Sequence, residues 1–342
     1  MALISKKKIP FKISPGLRRY LKEQEREVVV PIRYSDLLRY DNSIALYDNW
    51  GDDTLWETVF YPQSDMESIH HNLKKIYSVL KAAGDISVMD HLFVDRVDVC
   101  VYGNTQPFRI RIVNKINDNF DYFYVKNADA SRIYGLELEH LLSPNRISYM
   151  VDQETLIEEH IAGIPGDQFI KHHLEDSRLN EIRLAKEFVK FNERCFVRLL
   201  GDMHSSNFVI DITPDFEEIH YRIRAIDFDQ QSYEGRKAVY MPQYFKPNNP
   251  IIEIGLRHMT PETVRQYQKE ERSLIATRIK TSRYVIKELL DAMQNDVIST
   301  QENVELLRNE LAEHYKNKVF LKCETMGQIL KNSLKTALIK KS

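Results

Sequence analysis

The chain has 342 residues, of which 43% are hydrophobic and 29% charged, and these proportions exclude wholesale disorder. Eleven glycines and twelve prolines exclude collagen-like and low-complexity sequences, and three scattered cysteines, Cys100, Cys195 and Cys323, exclude a disulfide framework or a zinc site. No stretch approaches the roughly 18 uncharged apolar residues of a membrane span, and the basic start lacks the apolar segment of a signal peptide. The sequence therefore predicts a cytoplasmic protein without a membrane partner, built as one large domain or two smaller ones.

The net charge of −2 conceals two basic ends. Residues 1–22 carry seven Lys or Arg and no acid, and residues 321–342 carry five Lys and one Glu, which leaves about −13 for the residues between them. Basic segments can bind nucleic acid, but no aromatic side chains that would stack on bases are interleaved with this charge. The pattern favours solvated tails and argues against a nucleic-acid partner.

The first ninety residues predict one helix, over about 65–83, where Ser64 and Glu67 have the spacing of a capping box. The polar stretch 47–56 ahead of this helix predicts a surface loop. No chemistry follows from these residues, and the region 1–90 is interpreted as an N-terminal extension of unknown role.

From residue 91 onward the pattern changes to strands and then to helices. Strands are predicted at 93–101, 108–113 and 122–126, a helix at 130–142, and two more strands at 147–151 and 155–161. Helices are then predicted at 178–199, over 261–298 as one long helix or two, and at 300–316, with N-caps at Thr260 and Ser299. Strands are predicted at 208–212 and 220–226. This order predicts an α+β fold with a small β-rich lobe over 91–161 and a larger, mainly helical lobe over 162–342.

Two polar segments of the predicted helical lobe carry residues suited to chemistry. Leu200-Gly-Asp-Met-His-Ser-Ser-Asn207 follows a predicted helix, and Ile226-Asp-Phe-Asp229 ends a predicted strand. Phosphoryl transfer from ATP needs an acceptor-only group near the substrate hydroxyl, and a carboxylate and an amide oxygen to hold magnesium on the phosphates. Asp202, Asn207 and Asp227 supply that set.

These motifs resemble the protein-kinase-like superfamily, and within it the aminoglycoside and choline phosphotransferase branch. That branch has His-Gly-Asp-x-His-x-x-Asn and Ile-Asp-Phe/Trp-Asp/Glu at the corresponding places. The resemblance implies Asp202 as the catalytic base, and Asn207 and Asp227 as magnesium ligands. It also implies Asp229 as a further metal ligand and His204 as a support of the catalytic loop.

The resemblance, which covers roughly residues 93–230, also assigns ATP-binding residues to the β-rich lobe. Lys126, on the third predicted strand, would pair with the phosphates, and an acid on the next helix would orient it. Glu137 and Glu139 are both available, and at 100° per residue the apolar side of the helix centres near Glu137, so that residue is chosen and Glu139 is expected to point away. A segment resembling the hinge would hydrogen-bond adenine through the backbone of Glu159 to Ile161.

The sequence departs from the family in its phosphate-covering loop. No Gly-x-Gly-x-x-Gly precedes Lys126, which leaves Gly103 and Thr105 as the candidates for contacting phosphate. The expected function is transfer of the γ-phosphoryl group of ATP, with Mg²⁺, to a hydroxyl of a small molecule. The alternatives are a catalytically quiet pseudokinase that binds partners, and kinase-like transfer of AMP. The oligomeric state and the identity of the acceptor stay open.

Overall fold

The computed structural model describes residues 8–48, 51–81, 84, 86–103, 105–214 and 219–338. These residues form two compact units. The β-rich unit comprises Arg18–Asp129 and Ile147–His160, and the helical unit comprises the described parts of Met1–Leu17, Ala130–Arg146 and Ile161–Ser342. The predicted α+β class, with a β-rich part and a mainly helical part, is confirmed.

The β-rich unit is built on seven strands. They are β1 (Asn42–Tyr47), β2 (Asp53–Phe60), β3 (Leu92–Val99), β4 (Phe108–Asn114), β5 (Phe120–Asn127), β6 (Tyr149–Asp152) and β7 (Thr155–Glu159). They pair antiparallel in the order β1-β2-β3-β4-β5-β7-β6. Alternate residues of β4, such as Phe108 and Ile110, form a core with Leu73 and Ile76 of α3 (Gln63–Lys81), because side chains two apart on a strand share a face.

The first ninety residues contribute two strands to this sheet. The β-rich unit therefore begins earlier in the chain than the predicted boundary at residue 91. Strand β2 pairs with β3 through Glu57 opposite Val99, which makes β1 and β2 the strands at one edge. The predicted loop 47–56 contains the start of β2 at Asp53, while residues 49–50 lie outside the described residues. The local Asp, Asn and Gly content concealed this strand, because its stabilising partner is distant in sequence.

The helical unit contains most of the helices and a small sheet. The helices are α4 (Ala130–Leu142), α5 (Gly166–His172), α6 (Glu181–Arg198), α7 (Asn249–His258), α8 (Pro261–Thr281), α9 (Arg283–Gln294), α10 (Gln301–Tyr315) and α11 (Met326–Leu338), while α1 (Pro15–Glu23) and α2 (Tyr34–Leu37) occur earlier in the chain. The strands are β8 (Ile164–Pro165), β9 (Phe208–Pro214) and β10 (Ile219–Ala225), in the order β10-β9-β8. None of the described helices is both long enough and apolar enough to span a bilayer.

The elements predicted from residue 93 onward are confirmed, with one change in capping. The hydroxyl of Thr260 accepts from the N–H of Thr263 at 3.3 Å, as an N-cap should. Helix α10 is capped instead by Thr300, which accepts from Asn303 N–H at 3.2 Å. The predicted cap, Ser299, donates its hydroxyl to the carbonyl of Tyr233 and is not available for the helix.

Candidate active site

The candidate catalytic loop follows α6 directly and turns sharply at two residues. Leu199 ends α6 with φ 56°, and Asp202 has φ 61°, a left-handed conformation that Asp adopts more readily than most residues. The N–H of Asp202 donates to the carbonyl of Val239 at 3.1 Å. The side-chain Nδ2 of Asn207 donates to the carbonyl of Asp202 at 2.8 Å. Asp202 and Asn207 are thereby held in one hydrogen-bonded turn.

His204 lies inside this turn and contacts it through its backbone and its ring. Its N–H donates to the carbonyl of Asp202 at 2.9 Å, and its carbonyl accepts from Asn207 N–H at 2.9 Å. Ring Nδ1 accepts from the N–H of Ser206 at 3.4 Å. Burial lowers the pKa of His204, which favours the neutral ring that this acceptor role requires. The supporting role of His204 that the resemblance implies stays a prediction.

The carboxyl of Asp202 has an electrostatic environment suited to a proton acceptor. Burial, with smaller contributions from Asp227, Glu234 and Asp229, raises its pKa from 3.8 to about 7. Its side chain is still 27% exposed, so the group is desolvated without being sealed from a substrate. A general base is most effective when its pKa lies near the working pH.

A β-hairpin connects the catalytic loop to the segment that carries the predicted metal ligands. Phe208 at the start of β9 is in register with Ala225 at the end of β10. The N–H of Ile226 then donates to the carbonyl of Asn207 at 3.0 Å. Antiparallel pairing therefore brings Asn207 and Asp227 to the same end of the hairpin, as the motif spacing indicates.

An arginine that the sequence analysis did not identify lies against the predicted metal ligands. Nη1 of Arg132, in the first turn of α4, is 2.7 Å from Oδ1 of Asp227 and 2.7 Å from Oδ1 of Asp229. The side chains of Arg132, Asp229 and Asp227 are 2%, 12% and 36% exposed. A signal was present in the sequence, because a charged residue in a helix with so many apolar neighbours needs a buried partner.

The oxygen donors of Asn207 and Asp227 fit a magnesium ion. Mg²⁺ prefers oxygen ligands, retains several waters and is held in proteins by one or two carboxylates together with substrate phosphates. The amide oxygen of Asn207 and the carboxylate of Asp227 meet that requirement. Across the part of the chain that is described, no group of three or more His, Cys, Asp or Glu could hold a metal by itself. A metal held by Asn207 and Asp227 would therefore need further ligands from water or from a bound molecule.

Lys126 lies on β5, and the structure gives it a partner that the sequence analysis missed. Its Nζ donates to Oε2 of Glu158 on β7 at 2.9 Å, and the two side chains are 9% and 6% exposed. The register places Tyr124 opposite Glu158 and Lys126 opposite Leu156, so Lys126 and Glu158 are diagonal neighbours on one face. Finding this pair requires the strand register, which the sequence alone does not supply.

The two acids of α4 are both buried, which corrects the expectation for one of them. Glu137 and Glu139 are each 2% exposed, although Glu139 was expected to point away from the apolar side. Glu139 forms an ion pair with Arg198 at the end of α6 and accepts from Nδ2 of Asn145 at 3.1 Å. Helix α4 is buried on nearly every side, so a single apolar face could not distinguish the two acids. The pairing of Glu137 with Lys126 stays a prediction.

The loop between β3 and β4 holds the two residues proposed for phosphate contact, whereas Asn104 between them lies outside the described residues. The N–H of Gly103 donates to the carbonyl of Cys100 at 3.3 Å, and Tyr34 donates its hydroxyl to the carbonyl of Thr105 at 3.1 Å. A Cβ on Gly103 would lie 2.9 Å from Cδ of Pro107. This glycine permits a tight turn, and a role of Gly103 and Thr105 toward phosphate stays a prediction.

The predicted adenine contact is restricted by the strand pairing of Glu159. Its N–H donates to the carbonyl of Ser148 at 3.0 Å, and its Oε1 accepts from Ser148 N–H at 2.7 Å. The N–H of Glu159 is therefore already used. Contact with adenine through the backbone of Ile161 stays a prediction.

Comparison with known proteins gives a distant likeness. No family model matches the chain, and no curated protein matches it. Among solved structures, it is similar to the autoinhibited serine kinase domain of the giant muscle protein titin, at 14% sequence identity and a TM-score of 0.27. The match covers 74% of this chain and 89% of that chain. A likeness this distant carries no function to this chain.

Proposed function

We propose that the chain is a phosphotransferase that moves the γ-phosphoryl group of ATP to a hydroxyl of a small molecule. The observation that carries this proposal is the hydrogen-bonded turn that fixes Asp202 to Asn207, together with the hairpin that brings Asp227 to the same end. Phosphoryl transfer uses such a set, in which one carboxylate lies near the acceptor hydroxyl while an amide oxygen and a second carboxylate hold magnesium on the phosphates. The two motifs that carry these residues resemble those of the aminoglycoside and choline phosphotransferases, which supports a small-molecule acceptor.

In this reaction Asp202 takes the proton of the acceptor hydroxyl as that oxygen forms its bond to the γ-phosphorus. The bond between the γ-phosphorus and its bridging oxygen breaks, and ADP leaves with the electron pair. Asn207 and Asp227 would hold Mg²⁺, which offsets the negative charge of the phosphates when it is bound. Lys126 would contact the phosphates, with Glu158 fixing the position of its ammonium group.

The first test is stabilisation of the protein by ATP. ATP at 100 times its dissociation constant should raise the free energy of unfolding by about 2.7 kcal/mol, and only when Mg²⁺ is present. Asp227→Ala should abolish this shift, whereas Asp211→Ala, on β9 of the same hairpin, should keep it. The absence of any shift at saturating ATP and Mg²⁺ would refute the proposal and favour a catalytically quiet binding module.

The second test separates phosphoryl transfer from transfer of AMP. The protein is incubated with ATP, Mg²⁺ and a panel of hydroxyl-bearing small molecules, and the nucleotide products are separated by chromatography. Phosphoryl transfer releases ADP, whereas AMP transfer releases pyrophosphate. Asp202→Asn should remove acceptor-dependent ADP formation by at least about 100-fold, since general-base catalysis contributes about that much or more.

A further inference from the structure

Helix α4 is attached to the segment after β10 by three separate contacts. Arg132 bridges Asp227 and Asp229, with 2.7 Å to each carboxylate. The hydroxyl of Ser131 donates to the carbonyl of Gln231 at 2.7 Å. One turn further along, a Cβ on Gly135 would lie 2.9 Å from the Cβ of Phe228, so the absence of a side chain permits close contact. The position of Arg132 is thus set by the packing of its helix as well as by charge.

Arg132 supplies a fixed positive charge to the two aspartates of the segment after β10. Its side chain is 2% exposed, and moving this buried guanidinium away would separate it from the two carboxylates that compensate its charge. Asp227 and Asp229 lie two residues apart and would repel each other without a cation between them. A metal ion that bound Asp227 and Asp229 through these same Oδ1 atoms would have to displace Arg132.

The two carboxylates differ in their exposure to solvent. The side chain of Asp229 is 12% exposed, whereas that of Asp227 is 36% exposed. Oδ1 of Asp227 accepts from Arg132 and also from the N–H of Asp229, at 3.0 Å for the latter, so a metal ion would bind Asp227 through its other oxygen. Asp229 is therefore largely enclosed by the protein, whereas Asp227 is still partly accessible to a ligand.

We propose that Arg132 takes the place of a second metal ion, that Asp229 is its counter-ion and not a ligand, and that a single divalent cation binds through Asn207 and Asp227. This inference rests on the proposed function for the identity of the bound species, a metal–nucleotide complex. Arg132 is then a positioning residue: it fixes the orientation of the Asp227 carboxylate and supplies one positive charge beside it. With one divalent cation, the two carboxylates and Arg132 together carry a single net positive charge toward the phosphates.

The test counts metal ions by electron paramagnetic resonance during titration of the full chain with Mn²⁺ and a non-hydrolysable ATP analogue. The wild type should bind one Mn²⁺ per chain beyond the Mn²⁺ held by free nucleotide, and Asp229→Asn should still bind one. Arg132→Gln should bind two, because the released Asp227–Asp229 pair attracts a further cation. The double variant Arg132→Gln with Asp229→Asn should return to one, and it removes both members of the buried pair, so it remains informative where Arg132→Gln alone does not fold.

The possible results separate the two proposals. Two ions in the wild type, or one ion in a folded Arg132→Gln variant, would overturn the role given to Arg132 and leave the phosphotransferase proposal intact. No protein-bound Mn²⁺ in the wild type would refute the proposed function, and this inference with it. Arg132→Lys, which keeps the charge, should bind one ion. This result would show that the second ion in Arg132→Gln follows from the lost charge and not from a change in local structure.

Discussion

The carboxylate of Asp202 is held in a position that opposes its ionisation, and removing its charge should stabilise the metal-free protein. The difference between a pKa of 3.8 and one of about 7 corresponds to at most about 4 kcal/mol. Because 27% of the side chain is exposed, we expect about 2–4 kcal/mol from Asp202→Asn in the ionised range. Asparagine is the appropriate replacement, because it also tolerates the left-handed φ of 61° at this position.

The pH dependence follows from the sign of this shift. The folded protein holds the Asp202 proton more tightly than the unfolded chain does, so the free energy of unfolding falls as pH rises from about 4 to about 7. Asp202→Asn has no carboxyl to titrate at this position, so its free energy of unfolding does not fall for this reason. Its advantage over the wild type should be close to zero below about pH 4 and largest above about pH 7.

The assay is urea unfolding at several pH values in buffers without divalent cations. Asp41→Asn, at an exposed position in the β-rich unit, serves as the control and should track the wild type throughout. The variant should lose phosphoryl transfer while gaining stability, as expected when a charged group is held for chemistry at the expense of folding. Equal unfolding free energies for variant and wild type at about pH 8, or a less stable variant, would refute the reasoning.

Two further substitutions test the surroundings of the site by urea unfolding. Gly166→Ala should lower stability by about 1–3 kcal/mol, because the new Cβ would lie 2.4 Å from Cε2 of Phe208 and 2.6 Å from the carbonyl of Ser205; an unchanged midpoint would show that the loop moves aside freely. Lys126→Met removes the cation beside buried Glu158 and should cost about 3 kcal/mol, most of which Glu158→Gln in the same chain should restore. A double variant no more stable than Lys126→Met would contradict a direct ion pair.

The sequence was informative where local pattern determines structure. The strands and helices from residue 93 onward have clear periodicity, and the turn holding Asp202 and Asn207 depends on residues close together in the chain. Partners brought together by register were not predictable in the same way. Glu158 reaches Lys126 only because β7 pairs with β5 in one particular register. Strand β2 was concealed because its local composition is typical of a loop and its pairing partner, β3, lies more than thirty residues away.

The prediction of a single buried face was wrong for helix α4. This helix contacts both the segment after β10 and Arg198 at the end of α6. An amphipathic analysis assumes one buried face, but this helix is buried almost all round, so its charged residues must each find a partner inside the protein. Arg132 near its start pairs with the segment after β10, and Glu139 near its end pairs with Arg198. The carbonyl of Arg198 in turn accepts from Nε2 of Gln231 at 2.7 Å.

These contacts run from α4 to the segment after β10, from there to Arg198 just before the candidate catalytic loop, and back to α4. Each ion pair in it is costly to bury, and apolar side chains of similar size would often be as stable. Charged pairs instead fix the orientation of side chains, because a guanidinium holds a carboxylate at a defined distance and angle. The proposed phosphoryl transfer would depend on such positioning more than on additional stability, which would give a physical reason for Arg132 and Glu139 in the buried surface of this helix.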